Sequence, residues 1–216
     1  MAADRDAVVT AVLDTCGQTY ADQAGIRLAD KPSPLYQMLV LATLLSARIT
    51  ADIAVAAARE LFAAGYRTPA KMAAASWQDR VDALGRGHYR RYDERTSTML
   101  GDGAELLSDR WRGDLRRLHT GAGDDVPKLR GLLTEFPGVG EVGAAIFLRE
   151  AQAVWRGLQP FADDRVAEGA SRLGLPGSGP ALAELVSAAE LPRLVAGLVR
   201  VALDKQLAAA VRKAAD

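Results

Sequence analysis

No run of four to eight residues in this chain alternates apolar and polar side chains cleanly enough to build a half-buried strand. Apolar residues recur three and four apart instead, almost from end to end. That spacing confines the chain to helices packed on helices. The composition agrees, because 49% of the residues are hydrophobic and Ala and Leu dominate that share. Both lose little side-chain freedom in a helix. With 216 residues the chain is long enough for one large domain or two lobes with a real core. The expected fold class is all-α.

The punctuation supplies the helix boundaries. Ala7, Val8, Ala11, Val12 and Thr15 mark one face of a helix over 4–20, and 24–34 reads as a connection closed by Lys31-Pro32-Ser33-Pro34. Ser33 as N-cap with Pro34 at the first helical position predicts the start of a buried helix, apolar almost all round from Leu35 to Leu45. Further starts fall at Thr50, Thr68-Pro69, Ser76 and Val126-Pro127, with a helix over about 88–107 and a loop over 119–125. Later helices are expected at about 141–154, 163–173, 179–186 and 191–213.

Several function classes drop out. Cys16 is the only cysteine, which leaves no internal disulfide and no cysteine set for zinc or an iron–sulfur cluster; a buried small hydrophobe is its expected role. His88 and His119 stand too far from other ligands to suggest a metal site. The N-terminus does not read as a signal peptide, and no apolar run approaches the roughly twenty residues that span a bilayer. The expectation is a soluble, cytoplasmic monomer with no membrane contact. Lys plus Arg equals Asp plus Glu at 27 each, so overall charge does not favour a nucleic-acid partner, and only a local patch would serve one.

The most informative segment joins two helical stretches, 128–135 and 141–149, through Phe136-Pro137-Gly138-Val139-Gly140 alone. Two glycines at that spacing permit a tight reversal and leave no side chain over the turn. The N–H groups of Gly138, Val139 and Gly140, with the N-terminus of the next helix, then face a phosphate directly. A plain turn between helices is the alternative reading of these five residues taken alone.

The wider context resembles the endonuclease III family of the helix–hairpin–helix DNA glycosylase superfamily. That family's hairpin reads Leu-Pro-Gly-Val-Gly, and here Phe136 replaces the Leu. Leu44-Leu45-Ser46-Ala47-Arg48 is similar to its Leu-Leu-Ser-Ala-Gln segment, and Phe161-Ala162-Asp163-Asp164-Arg165-Val166 to the block carrying its essential aspartate. The likeness spans roughly 32–176. It implies two helical lobes with a cleft between them, expected here as 32–125 and as 1–31 with 126–216. It also implies a double-stranded DNA partner bearing a damaged or mismatched base that is flipped into a pocket.

On that resemblance Asp163 is the candidate catalytic carboxylate, stabilising positive charge on the sugar and orienting water as the N-glycosidic bond breaks. A helix N-cap is its bland alternative, and Asp164 is the candidate if the register slips by one. Arg48 stands where the family has a glutamine that fills the gap left by the flipped base; a surface arginine is the alternative. Two departures stand out. Val142 occupies the position of the lysine that makes other members strand-cleaving lyases, so hydrolysis without lyase chemistry is expected. The cluster cysteines are missing too, so no iron–sulfur cofactor is expected, although a monovalent cation on the hairpin carbonyls is compatible with the resemblance. A non-catalytic DNA-binding protein on the same scaffold is the competing reading, and a helical interaction domain the third.

Overall fold

The structure, a computed structural model, describes residues 4–215. Every regular element among them is helical. The chain runs through α1 (Arg5–Cys16), α2 (Tyr20–Gln23), α3 (Pro32–Leu45), α4 (Ala51–Ala63) and α5 (Pro69–Ala74). It continues with α6 (Trp77–Arg86), α7 (Asp93–Trp111), α8 (Leu115–Ala122), α9 (Val126–Thr134) and α10 (Glu141–Ala151). After a 3₁₀ turn at Arg156–Leu158 come α11 (Asp164–Arg172), α12 (Gly179–Ala183), α13 (Leu191–Leu203) and α14 (Lys205–Ala215). None of these helices is long and apolar enough to cross a membrane.

Side-chain caps set several of the starts. Thr68 accepts from the Lys71 amide, Asp125 from Lys128 and Asp163 from Val166. Ser76 and Asp79 form a reciprocal capping box at α6. The start of α3 departs from expectation, because Lys31 is the N-cap and Pro32 the first helical residue. Ser33 Oγ donates instead to Arg67 O at 2.9 Å. Residues 88–92 are not helical: His88 takes a left-handed φ of +63°, and α7 begins at Asp93. The expected loop over 119–125 is helical as far as Ala122. The expected single helix over 191–213 breaks at Asp204, whose carboxylate accepts from the Gln206 amide at 2.7 Å and starts α14.

Two compact units result, Ala21–Val154 and a unit made from both chain ends, Met1–Tyr20 with Trp155–Asp216. The boundaries differ from the expected 32–125 against 1–31 with 126–216, since α9, the hairpin and α10 belong to the unit that contains α3. The reason is local. Gly143, Ala144 and Ala145 on α10 are small enough for a close approach to α3; a Cβ on Gly143 would stand 3.5 Å from Ser46 Cβ. Within Ala21–Val154, α3 is central, with Leu35, Met38, Leu41 and Leu44 fully buried. The buried Arg80 guanidinium is satisfied by the carbonyls of Met72, Ala75 and Ser97.

In the other unit Val12, Val166, Leu194, Leu198 and Val211 form a hydrophobic core that includes Cys16. There α11 crosses α13 so closely that any Cβ on Gly169 would overlap the Leu198 carbonyl oxygen. Cys16 is buried, as its composition context suggested.

Acid lability follows from the caps. Hydrogen bonds from Ser76 hold the Asp79 carboxyl low, those from Arg116 hold Asp114 low, and those from Ser187 hold Glu190 low. A depressed folded-state value stabilises at pH above the ordinary carboxylate value and is lost as pH falls through the lowered one. The thermal midpoint is therefore expected to be flat from pH 7 to about 5 and to fall toward pH 3. A midpoint that held constant to pH 3 would contradict this.

Candidate functional site: a bare glycine hairpin

Between α9 and α10 the segment Phe136–Gly140 folds as a turn in which the Val139 amide donates to Phe136 O at 3.0 Å. Pro137 and Gly138 occupy its two central positions, and Gly138 has φ +83°. Proline followed by a positive-φ glycine is the signature of a type II turn. The residues then sort by face. Phe136 and Val139 are buried at 2% and 3% exposure, while Gly138 and Gly140 are exposed. Gly140 caps α10 with no side-chain oxygen, which leaves the first amides of that helix without a side-chain cap.

The turn is held from beneath. A Cβ on Gly138 would lie 2.8 Å from Met99 Sδ and 3.0 Å from Thr43 Cγ2, so the backbone itself presses on α3 and α7. Phe136 stacks on Trp111 with ring centroids 5.5 Å apart, and Arg110 lies 4.5 Å over the Trp111 ring while pairing with Glu135. Sequence reasoning passed over Trp111; the visible signal was an aromatic at the end of a helix beside a run of arginines. Glu141, in the first turn of α10, pairs with Arg130 across the hairpin at 3.5 Å. Val142 beside it is 63% exposed.

Two segments that read as separate motifs meet here. Ser46 Oγ, just past the end of α3, reaches Gly138 O at 3.2 Å and Thr43 O at 2.7 Å. Ser46 thus ties the Leu44-Leu45-Ser46-Ala47-Arg48 segment to the hairpin, a positioning role the sequence did not single out. Arg48, two residues on, is exposed and makes no hydrogen bond or ion pair among the described residues.

Asp163 belongs to the other unit. It caps α11, with Oδ1 accepting from the Val166 amide at 3.2 Å, and is partly exposed; Asp164 is the first residue of that helix and is exposed. The aromatic side chains of Tyr36, Trp155 and Phe161 are buried. In the basic, aromatic stretch 86–92 Tyr89 is buried while Arg86, His88, Arg90 and Arg91 are exposed; Arg86 pairs with Glu60 at 3.0 Å, and Arg91 sits over the Tyr92 ring.

Every regular element of the chain among the described residues is helical, and an exposed turn carrying Gly138 and Gly140 joins two of its helices. Among solved structures, the chain is similar to endonuclease III trapped as a covalent intermediate on DNA, an estranged-adenine complex. That likeness carries 22% identity over 74% of this chain and 70% of the other, with a TM-score of 0.46. Neither a protein-family model nor a curated protein sequence matches the chain.

Proposed function

We propose that this chain binds double-stranded DNA through the hairpin and hydrolyses the N-glycosidic bond of a damaged or mismatched base. One observation carries the proposal: Gly138 at φ +83° turns Phe136 and Val139 into the core and leaves bare backbone amides at an uncapped helix start. Such a surface suits a phosphate, because N–H groups and the helix dipole both favour negative charge there. A neutral chain uses a patch of this kind where net charge would not serve.

Chemistry is assigned to Asp163 on the strength of the motif resemblance. As the base leaves with its bonding electrons, the carboxylate stabilises the cationic sugar and takes a proton from the water that adds to the anomeric carbon. Val142 offers no amine, so no Schiff base forms at that position and the backbone stays intact. The protein would work as a cytoplasmic monomer. Duplexes carrying deaminated, alkylated or oxidised bases test this directly. Abasic sites should accumulate, with strand breaks only after alkali. Nicking with borohydride-trapped adducts would contradict the hydrolytic assignment. DNA binding without base release from any substrate would favour the competing reading, a non-catalytic DNA-binding protein.

Arg48 is proposed as a DNA contact. Arg48→Ala is expected to weaken binding about three- to tenfold. If the guanidinium fills the gap beside a flipped base, discrimination between damaged and intact duplex falls with it. If it touches phosphate, both duplexes weaken alike and the salt slope drops by about one. An unchanged affinity for both duplexes would leave it a plain surface residue.

A further inference from the structure

The hairpin lies along one ridge of α7. A Cβ on Gly103 would stand 4.0 Å from Phe136 Cδ1 and from Pro137 Cδ. Four residues earlier on the helix, Met99 Sδ would lie 2.8 Å from a Cβ on Gly138. From Phe136 to Gly138 the turn therefore advances toward the start of α7. Residues four apart share a helix face, about 5.4 Å per turn along the axis. The next position on that ridge, one turn before Met99, is Arg95, and it is exposed.

Nothing in the fold engages this guanidinium. Arg95 makes no hydrogen bond or ion pair among the described residues. The positions three and four away are Arg91, Tyr92, Thr98 and Met99, none of them acidic. Asp93 and Glu94 adjoin it in sequence, but residues one and two apart do not face each other on a helix. Arg95 also stands in the first turn of α7, where the helix dipole disfavours a cation. Folding gains nothing from the charge; a bound anion would.

We infer that Arg95 holds a second DNA phosphate, next along the strand from the one on the hairpin amides, an inference that rests on the DNA-binding reading of the hairpin. A guanidinium gives charge-assisted hydrogen bonds to phosphate oxygens. On the α3 side of the turn, Arg48 follows Ser46, whose Oγ reaches Gly138 O at 3.2 Å. Arg95 supplies a cation on the α7 side. A chain of zero net charge thus gathers positive charge beside its bare amides. A contact of this kind fixes register on the backbone and reads no base, so it strengthens binding to every duplex alike.

The test measures binding of a fluorescent, undamaged duplex to the full chain over a salt series. Arg95→Gln is expected to weaken binding about three- to tenfold and to lower the salt slope by about one. Its thermal midpoint should stay level or rise slightly, since a cation leaves the start of α7. Arg95→Lys should restore the slope, because lysine brings the same charge to a phosphate. A wild-type slope in Arg95→Gln, or a slope that Arg95→Lys leaves low, overturns the inference. Gly140→Ala, measured alongside, tells the two readings apart. Weaker binding in Gly140→Ala with Arg95→Gln silent removes Arg95 alone. A wild-type chain that binds no DNA, or unchanged binding in Gly140→Ala, removes the hairpin reading and the role of Arg95 with it.

Discussion

Asp163→Asn is expected to abolish base release, with a loss of at least about a hundredfold, while the protein keeps its stability and its affinity for DNA. The substitution is informative because Asp163 has a structural duty that asparagine can perform. Its Oδ1 accepts from the Val166 amide to start α11, and Asn is as good an N-cap as Asp. The variant therefore removes negative charge without removing the cap. Asp163→Ala removes both and should in addition cost about 1 kcal/mol of stability. Comparing the two separates the chemical role from the capping one. Asp164→Asn, on an exposed residue within the helix, should leave turnover nearly unchanged. Full activity in Asp163→Asn together with loss in Asp164→Asn would move the chemistry one residue along.

Gly138→Val should cut DNA affinity about thirtyfold or more. A β-branched residue at φ +83° is a backbone outlier, and its Cβ would meet Met99 Sδ at 2.8 Å and Thr43 Cγ2 at 3.0 Å. Left-handed backbone alone costs a non-glycine residue about 1–2 kcal/mol, so the turn reopens and its amides leave their common face. Gly140→Ala is the sharper companion. There φ is −88°, an added Cβ meets nothing within 4 Å, and the fold should not notice. A methyl group would nonetheless stand over the face a phosphate must approach. Unchanged stability with about tenfold weaker binding is the expected pair of results. Unchanged binding in Gly140→Ala would mean the ligand does not come to this turn.

Helix type and most helix starts were legible in the residues, because a proline or a short polar side chain before an apolar stripe has a local physical consequence. Ser76 and Thr68 cap the helices expected to start there, and Asp125 caps the one expected to open at Val126-Pro127. The errors came where a local signal competed with a distant one. Ser33 looked like a cap, but its hydroxyl is recruited by Arg67, 34 residues away. Asp204 interrupts an apolar stripe that by periodicity alone continues to 213, because its carboxylate captures the amides that follow. His88, where a helix was expected to begin, takes a left-handed backbone that no propensity announces.

The hairpin was visible as a glycine pattern, but its supports were not. Trp111, Met99 and Ser46 are brought to it by the packing of α7 and α3, a tertiary fact without sequence periodicity. The unit boundary was misplaced for the same reason. Gly143, Ala144 and Ala145 admit a close neighbour, and nothing in their spacing tells that this neighbour is α3.

A crystal structure of the protein with a duplex bearing an abasic-site analogue would decide the matter. A backbone phosphate oxygen should lie about 3 Å from amides of the Gly138–Gly140 turn, and the Asp163 carboxylate should face the sugar at the analogue. A hairpin left in solvent, or a carboxylate directed away from that sugar, would contradict the glycosylase assignment.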